Sequence, residues 1–321
     1  MLKVLVTGGA GFIGSHLADR LVSSGLDVVV LDNLFSGSTK NIKDCLGVAG
    51  FRFVNGDMCD YEVLKALVAD VDCVVHLAAV TSVPVSMKDP SLTHEVNVTG
   101  TLNLLRACLE GDVKRFVFAS SCAVYGEPRY LPVDEEHPTS PISPYAASKL
   151  AAEHYLQVFH EAYGLRTVVL RLFNVYGPRQ GLNGEGGVIS RFMECLRCSS
   201  PLPIYGDGSQ TRDFVCVGDV VDAFVLALNR MNAVGEIFNV GSGESTSVNT
   251  LAETVLSLAD HDSGLVYKEP RLGDIKHSFA DIEKAKRILG YEPKTEIRAG
   301  LKKTYEWIVE NEDKIEESAN F

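Results

Sequence analysis

One tyrosine, one lysine and one serine are spaced so that they could move a proton together. Tyr145 and Lys149 stand four residues apart where Pro144 can start a helix, so both project from one helix face. A tyrosine with a pKa near 10 acts as a base near pH 7 only if cations stabilise its anion by roughly three pKa units. Ser121 ends an apolar strand, where open α/β sheets place their sites. We expect Tyr145 to be the base, Lys149 to stabilise its anion, and Ser121 to orient the same substrate hydroxyl.

The spacing of this pair is not specific by itself, because the chain contains a second Tyr-x-x-x-Lys. Tyr61 and Lys65 form that second pair, and no serine at a strand end accompanies them. We therefore interpret Tyr61 and Lys65 as residues on the surface of a helix.

A glycine-rich turn joins the first predicted strand to the first predicted helix. Glycines stand at positions 8, 11 and 14, between Val4-Leu5-Val6 and the helical segment Ser15–Leu21. Such spacing permits a tight turn, close approach of the backbone to a pyrophosphate and close packing of the helix on the sheet. The sequence therefore predicts a dinucleotide site formed by Gly8, Gly11, Phe12, Ile13 and Gly14.

An acidic residue at the end of the second predicted strand indicates which dinucleotide is bound. Asp32 follows the apolar run Val28–Leu31, 18 residues beyond Gly14. A carboxylate there accepts hydrogen bonds from ribose hydroxyls and repels a 2′-phosphate, so we expect NAD rather than NADP. The segments after the next strands are expected to line the same crevice, and the candidates there are Asp57, Met58, Leu77, Ala78 and Ala79.

Apolar runs alternate with helix-like segments across the first half of the chain. The strand-like runs are Lys3–Val6, Val28–Leu31, Arg52–Val54, Cys73–His76, Phe116–Ala119 and Thr167–Leu170. This alternation predicts an α/β fold with a doubly wound parallel Rossmann sheet. Because Gly and Pro become frequent later, we also expect a smaller, discontinuous α/β substrate domain. We predict that 1–176 and 214–240 form the dinucleotide-binding domain and that 177–213 and 241–315 form the second domain. The tail at 310–321 is expected to be a solvated helix end.

Composition excludes several other classes of protein. Hydrophobic residues make up 46% and charged residues 22%, which is typical of a globular chain rather than a disordered one. A formal net charge of −12 disfavours nucleic acid or an anionic membrane as the main partner. The eight cysteines form no regular framework, and Cys195-x-x-Cys198 lacks a second pair, so we expect reduced thiols and no metal site. Without a signal-like or membrane-spanning segment, the sequence predicts a cytoplasmic protein.

Taken together, the motifs resemble those of the extended short-chain dehydrogenase/reductase family. The residues that carry the resemblance are Gly8–Gly14, Asp32-Asn33-Leu34, His76–Ala79, Asn97-Val98-x-Gly100-Thr101, Ser120-Ser121 with Val124-Tyr125-Gly126, Tyr145–Lys149 and Arg171–Arg179. The resemblance extends to about residue 305. Within that family, the chain is most similar to the UDP-hexose 4-epimerases. It adds Asn33 and Asn97 to the cofactor-binding candidates.

The resemblance implies a mechanism with no net redox change. Tyr145 would remove the proton of the sugar 4-hydroxyl while C4 gives a hydride to tightly held NAD. The 4-keto sugar would turn about its phosphate linkage and take the hydride back on its opposite face. A firm grip on the nucleotide diphosphate and a loose grip on the hexose are therefore required.

The resemblance also implies which residues bind the UDP-sugar. Arg212 and Arg271 would hold the diphosphate, with Asn174 contacting a phosphate; Asp274 would lie near the uridine ribose, and Val188 and Tyr205 around the uridine. Ser278 would lie beside the 2-substituent of the hexose, where a small residue leaves room for an N-acetyl group. The family further implies a homodimer through the helices near Thr101–Glu110 and Ser148–Phe159, with Leu102, Leu105, Leu150 and Tyr155 as apolar surface.

Three alternatives remain open at this stage. A nucleotide-sugar 4,6-dehydratase usually carries an acidic pair directly after the Ser/Thr, where this chain has Cys122 and Ala123. A UDP-glucuronate epimerase or decarboxylase needs a cation for the substrate carboxylate, and no Arg or Lys stands at the expected hexose positions. An inactive NAD-binding scaffold is disfavoured by the intact Ser121, Tyr145 and Lys149 set.

Overall fold

Fourteen strands and ten α-helices occur in the computed structural model, which describes residues 2–181, 187–259, 263–270 and 275–311. The strands are β1 (Lys3–Thr7), β2 (Asp27–Asp32), β3 (Phe51–Asn55), β4 (Cys73–His76), β5 (Arg115–Ser121), β6 (Thr167–Leu172), β7 (Asn174–Tyr176), β8 (Leu202–Tyr205), β9 (Thr211–Arg212), β10 (Phe214–Cys216), β11 (Ile237–Val240), β12 (Thr246–Ser247), β13 (Leu265–Lys268) and β14 (His277–Ser278). The α-helices are α1 (Phe12–Ser23), α2 (Tyr61–Val68), α3 (Val83–Lys88), α4 (Pro90–His94), α5 (Thr101–Glu110), α6 (Pro144–Tyr163), α7 (Gly187–Arg197), α8 (Val217–Asn229), α9 (Val248–Leu256) and α10 (Ile297–Glu310). None of the helices within these ranges is long and apolar enough to cross a membrane.

Seven of the strands form one parallel sheet at the centre of the structure. Their order is β11-β6-β5-β4-β1-β2-β3, so the chain starts in the middle and winds out to both edges. Every neighbouring pair is parallel. This arrangement confirms the predicted doubly wound Rossmann sheet.

Alternate residues of the central strands enter two hydrophobic clusters, one on each face of the sheet. Val4 and Val6 of β1 pack in one cluster with α1 and α8, whereas Leu5 points to the other face, toward α2 and α5. Both faces are therefore covered, which explains why the strands appear in the sequence as nearly continuous apolar runs.

The remaining strands form three small sheets beyond the central one. β10 pairs with β7, β13 pairs with β8, and β9 lies between β12 and β14. Their residues come from both 174–216 and 246–278, while β11 returns to the central sheet beside β6. The exact division into two domains stays a prediction, and the expected helix end at 312–321 lies outside the described residues.

One expectation about exposed apolar residues is wrong. Leu105 of α5 is fully buried among the residues that cover the central sheet, so it offers no surface to another molecule. Leu102 and Leu150 are partly buried against the core clusters, and only Tyr155 is substantially exposed, at 38%. The family resemblance identified these residues as apolar surface, and packing against the core clusters covers most of that surface.

Candidate functional site

A long groove of about 1970 Å³ runs across the carboxyl ends of the central strands. This is where open parallel sheets bind ligands, and the volume is larger than that of an ordinary small-molecule pocket. It brings together most of the predicted cofactor and catalytic residues: Gly8, Gly11, Phe12, Ile13, Gly14, Asp32, Asn33, Asp57, Met58, Leu77, Ala78, Ala79, Ser121, Tyr145 and Lys149. The groove therefore has room for a dinucleotide and a second ligand.

The glycine-rich turn leaves no space for side chains. Gly8 has a φ of +69°, and a Cβ there would lie 2.7 Å from the backbone nitrogen of Ala78. A Cβ on Gly14 would lie 2.2 Å from the carbonyl oxygen of Gly8. Helix α1 begins directly after Gly11 without a side-chain cap, and its first residues, Phe12–Gly14, line the groove. The N–H groups of a first helical turn have no partner within the helix and favour an anion. This cradle fits the pyrophosphate of NAD.

Asp32 lies at the end of β2, where backbone donors fix its carboxylate. The N–H of Ala10 donates to Oδ2 at 2.9 Å, and the N–H of Leu34 donates to Oδ1 at 2.8 Å. Burial raises the pKa of Asp32, while these backbone hydrogen bonds act in the opposite direction. A Cβ on Gly37 would come within 2.9 Å of Oδ1, so the following loop closes tightly over the carboxylate. Little space is left here for a 2′-phosphate.

We expect the protein to bind NAD more tightly than NADP by more than about 1.4 kcal/mol, a factor of ten. The reason is repulsion between the Asp32 carboxylate and the extra phosphate in a partly buried site. Calorimetric titration with each cofactor measures the ratio. Asp32→Asn, which keeps the size of the side chain and removes its charge, is the matched variant and should bring the affinities for NAD and NADP closer together. Equal affinities in the unaltered protein would refute the assignment of NAD specificity to Asp32.

Asn33 and Asp57 meet across the groove wall. The Asn33 amide donates to Asp57 Oδ2 at 3.1 Å, and the backbone N–H of Cys59 donates to Oδ1 at 2.8 Å. The Cys59 hydrogen bond is the main reason why the pKa of Asp57 is lowered. Asp57 is therefore a fixed anionic acceptor in the groove lining, suited to hydroxyl or amino donors of a cofactor.

Asn97 behaves differently from the other cofactor candidates. It is 2% exposed and does not line the groove. Its side-chain oxygen accepts from the N–H of Val80 at 2.8 Å, while its amide donates to the Val80 carbonyl at 3.0 Å and to Ser148 Oγ at 2.9 Å. Asn97 thus positions Val80, which does line the groove, and ties that wall to α6.

Helix α6 presents Tyr145 and Lys149 to the groove. Ser143 caps the helix by accepting from the N–H of Ala146 at 3.2 Å, and Pro144 occupies its first position. Lys149 is 3% exposed, and its Nζ donates to the carbonyl of Ala119 at 2.9 Å. Ser121, the last residue of β5, lines the groove with Tyr145, and its side chain acts to lower the pKa of the Tyr145 phenol. The structure therefore brings the three residues together, as the spacing predicted.

Burial shifts the pKa of both titratable groups of this set. It raises the pKa of Tyr145 to about 12, while the Ser121 side chain acts to lower that pKa. Burial lowers the pKa of Lys149 to about 7, while the charge of Glu153 acts to raise that pKa. The neutral phenol and a partly charged ammonium are thus the forms at neutral pH without ligands. A cation bound in the groove would favour the phenolate.

The other Tyr-x-x-x-Lys pair lies away from the groove. Tyr61 and Lys65 are on the outer side of α2, and both contact Glu110 of α5: the Tyr61 hydroxyl donates to Oε1 at 2.6 Å and Lys65 Nζ lies 3.6 Å from Oε2. The pair belongs to a surface network.

The substrate-binding candidates occupy two places. Asn174 and Val188 line the groove, and the Asn174 amide donates to the carbonyl of Asp213 at 3.0 Å. Arg212 and Ser278 are paired in register on β9 and β14, and Tyr205 ends β8. The remaining candidates, Arg271 and Asp274, lie outside the described residues.

Several residues in and under the site were missed by sequence reasoning. The segment between Leu34 and Asp44 lines the groove and carries no recognisable motif. Below the groove, Glu153 and Arg171 form a buried ion pair with 2.7 Å between Oε2 and a guanidinium nitrogen. Two signals could have indicated this pair: Glu153 is four residues after Lys149, and Arg171 interrupts an otherwise apolar strand.

Comparisons with known proteins agree with this geometry. A family model described as the NAD dependent epimerase/dehydratase family matches residues 4–241. A UDP-glucose 4-epimerase of Mycolicibacterium smegmatis is 41% identical over 309 residues, covering 95% of this chain and 98% of that protein. The crystal structure of a UDP-glucose 4-epimerase with UDP-glucose from Thermotoga maritima is 40% identical, with a TM-score of 0.92 over 97% of this chain and 99% of that one. A UDP-N-acetylglucosamine 4-epimerase from Methanobrevibacter ruminantium, in complex with UDP-N-acetylmuramic acid, is 38% identical, with a TM-score of 0.92 over 97% and 99% of the two chains.

Proposed function

The chain belongs to the NAD-dependent epimerase/dehydratase family, and from this premise we propose that it is an isomerase that epimerises UDP-hexoses at C4. The substrates are UDP-glucose and UDP-galactose, together with their N-acetylated counterparts. The observation that carries the proposal is one continuous groove in which the dinucleotide cradle meets Ser121, Tyr145 and Lys149.

The cofactor is NAD. The turn from Gly8 to Gly14 would hold its pyrophosphate, and Asp32 would accept from its adenosine ribose. When bound, NAD would supply a reversible acceptor for the hydride at C4 of the sugar. The chain's own residues supply the proton transfer and the orientation of the substrate.

Tyr145 takes the proton from the sugar 4-hydroxyl and later gives it back. Because burial disfavours the phenolate, Tyr145 needs positive charge nearby, and Lys149 on the next helical turn provides it. Ser121 lines the groove with the same phenol, and a substrate hydroxyl placed between the two residues would be oriented for transfer. The 4-keto sugar formed in this way must rotate, and a groove of about 1970 Å³ leaves room for that rotation.

The nucleotide part of the substrate would be held beyond the proton-transfer residues. Arg212 and Arg271 would bind the diphosphate because guanidinium groups match phosphate oxygens with paired donors. Asn174 would contact a phosphate, Val188 and Tyr205 would surround the uridine, and Asp274 would bind its ribose. Ser278, adjacent to Arg212 in the three-stranded sheet, would lie beside the 2-substituent of the hexose.

The residues after Ser121 favour epimerisation over dehydration. Elimination of water from the sugar requires an additional acid and base near C5 and C6. Cys122 and Ala123 stand there instead, and burial raises the pKa of the Cys122 thiol to about 12, so it is not an acid of the required strength. A uronate would bring a carboxylate whose desolvation requires a cation near the hexose, and the sequence has no Arg or Lys at the expected hexose positions.

A side-by-side assay tests the proposed function. UDP-glucose, UDP-N-acetylglucosamine and UDP-glucuronate are supplied separately, and the 4-epimers are separated and quantified. We expect turnover of the first two and none of the third. Turnover of UDP-glucuronate alone would establish the uronate alternative, and a 4-keto-6-deoxy product would establish a dehydratase.

We infer that two copies associate through α5 and α6. The support is apolar surface on α6, where Tyr155 and Val158 are 38% and 51% exposed and share a helix face at i and i+3. Exposed apolar side chains adjacent in this way favour burial against a second chain. The proposed assembly is a homodimer.

Light scattering at micromolar concentration should report twice the 34.9 kDa of a single chain. Val158→Arg places a charge in the proposed interface and should give monomers. Val309→Arg is the matched control, because Val309 is 50% exposed on α10, outside α5 and α6, and should stay dimeric. A stable monomer in the unaltered protein would contradict the assembly.

The thiols support a reducing location. All eight cysteines are free, and five of them, Cys45, Cys73, Cys108, Cys195 and Cys216, are buried in the folded chain. Buried thiols among apolar residues behave as small hydrophobic side chains and are preserved where thiols stay reduced. We therefore place the enzyme in the cytoplasm.

A further inference from the structure

A buried carboxylate lies one helical turn beyond the lysine of the proton-transfer set. Glu153 is 3% exposed, and two neighbours fix it. Arg171 of β6 donates from Nε to Oε1 at 3.0 Å and from a terminal nitrogen to Oε2 at 2.7 Å. Ser120, next to Ser121, also donates its hydroxyl to Oε1. The carboxylate is therefore bound by charge-assisted hydrogen bonds that favour its ionised form.

Arg171 is itself fixed from the side away from α6. It donates to the Tyr125 hydroxyl at 3.0 Å and to the carbonyl of Glu135 at 3.4 Å, and its guanidinium lies 4.8 Å from the centre of the Tyr125 ring. The Tyr125 hydroxyl in turn donates to Asn239 Oδ1 at 2.7 Å. The Glu153 carboxylate is thus held directly from β5 and β6, and Arg171 is in turn held by Tyr125 and the carbonyl of Glu135.

An ion pair of this kind contributes little net stability. Two charges removed from water are costly, and apolar residues of the same volume often stabilise a core as well or better. A buried pair directly under a functional site is therefore better explained by an effect on the site. The group it acts on is the Lys149 ammonium, whose charge is disfavoured by burial and favoured by Glu153.

We propose that Glu153, held by Arg171 and Ser120, is a positioning residue that keeps Lys149 charged and so sets the pH range in which Tyr145 accepts a proton. The inference rests on the proposed function for the roles of Tyr145 and Lys149. Along α6, Glu153 is four residues from Lys149 and eight from Tyr145, which corresponds to roughly 6 Å and 12 Å of helix rise. Its attraction for the ammonium therefore outweighs its repulsion of the phenolate.

The other titratable groups near Lys149 do not replace Glu153. His76 of β4 is fully buried, and burial followed by the charge of Lys149 lowers its pKa to about 3, so it is neutral at working pH. Arg171 is cationic throughout. The Cys122 thiol beside Tyr145 has its pKa raised to about 12 by burial, so it stays neutral as well. Glu153 is the anion among these groups.

Glu153→Gln tests the proposal in the NAD-loaded enzyme. Loss of the anion should lower the pKa of Lys149 by about one unit or more, which in turn raises the apparent pKa of Tyr145. We expect the acid limb of the kcat/KM profile to move up by about one pH unit, so that activity at pH 7 falls about tenfold and recovers at higher pH, with KM unchanged. NMR titration of 13Cε-labelled lysine, with Lys149→Met to assign the signal, should show the lowered Lys149 pKa independently of turnover.

Further variants separate this effect from a loss of folding. Glu153→Asp keeps the charge and should stay within about threefold of the unaltered enzyme at pH 7. If Glu153→Gln does not fold, the double variant Glu153→Gln with Arg171→Met removes both charges and leaves no unpaired buried cation. Its kcat/KM profile should also move to higher pH, by less than we expect for Glu153→Gln alone. Arg115→Met is the matched control: Arg115 is 4% exposed and bonded to the carbonyls of Ala227 and Arg230, so its loss should lower Tm without moving the profile.

A lowered Tm with an unchanged kcat/KM profile and an unchanged Lys149 titration would overturn the proposal, because Glu153 would then be purely structural. If the unaltered enzyme turns over no UDP-hexose, the proposed function fails, and the lysine titration still decides whether Glu153 controls Lys149.

Discussion

Tyr145→Phe is expected to lose epimerase turnover by at least about a hundredfold while it still binds NAD. General acid–base catalysis typically contributes a factor of that size or more, and phenylalanine removes only the atom that carries the proton. The ring itself remains on the first turn of α6, so the shape of the groove is retained. Steady-state kinetics with UDP-glucose measure the loss, and the absorbance of bound cofactor shows whether NAD is retained.

The second Tyr-x-x-x-Lys pair provides the control for this variant. Tyr61→Phe removes the same atom from a surface residue whose partner is Glu110, so turnover should stay near that of the unaltered enzyme. Turnover of Tyr145→Phe within tenfold of the unaltered enzyme would remove Tyr145 from the role of base. A loss of bound NAD in the same variant would instead indicate that the phenol holds the cofactor.

The charge states of Tyr145 and Lys149 depend on the groups that surround them. Burial lowers the pKa of Lys149 to about 7, so the lysine titrates much closer to neutral pH than an exposed one does. Small changes in neighbouring charge therefore change the ammonium population strongly. The Tyr145 phenolate is disfavoured by burial, so its formation depends on that population and on positive charge brought by ligands.

The central sheet could be predicted because its strands are covered on both faces. Such strands give apolar runs, and these were located to within a few residues. Strand β5 shows what the runs omit: Arg115 at one end and Ser120-Ser121 at the other belong to the ladder although they are polar. Polar residues at strand ends are not distinguishable from loops by hydropathy alone.

The small sheets were beyond such reasoning. β9, β12 and β14 have two residues each, and their pairing joins segments separated by more than thirty residues. Two residues carry no periodic pattern, so these strands form because the surrounding fold brings them together.

In the site, as in the fold, features encoded within one segment could be predicted, and contacts between distant segments could not. The glycine turn and the Tyr145 and Lys149 pair are each encoded within one short segment, and the groove contains both. The contact of Glu153 with Arg171 joins α6 to β6, so the two local signals at these positions do not reveal that the residues pair with each other. Asn97 shows a different limit, because a motif can identify a residue without telling whether it touches the cofactor or holds the wall behind it.

Ser278→Tyr is expected to abolish epimerisation of the N-acetylated UDP-hexoses and to preserve that of UDP-glucose and UDP-galactose. Ser278 lies on β14 in register with Arg212, and we have proposed that Arg212 binds the diphosphate and that Ser278 lies beside the 2-substituent of the hexose. An aromatic ring at this position would occupy the space needed by an N-acetyl group on C2. Overlap of that kind costs more than the few kcal/mol that a well-packed site absorbs by small shifts.

The strand that carries Ser278 cannot easily move aside to accommodate the ring. The carbonyl of Phe279 accepts from the N–H of Val133 at 2.9 Å, and the N–H of Ala280 donates at 3.2 Å to Asp213, a buried residue next to Arg212. Because these hydrogen bonds hold the backbone, we expect the tyrosine ring to take up space beside the strand rather than displace the strand itself. Ser278→Ala keeps the space open and should retain both activities, which separates loss of the hydroxyl from loss of room. The kcat/KM for each sugar pair decides the outcome: if the unaltered enzyme uses only the non-acetylated pair, or if Ser278→Tyr loses both pairs equally, Ser278 does not select the substrate.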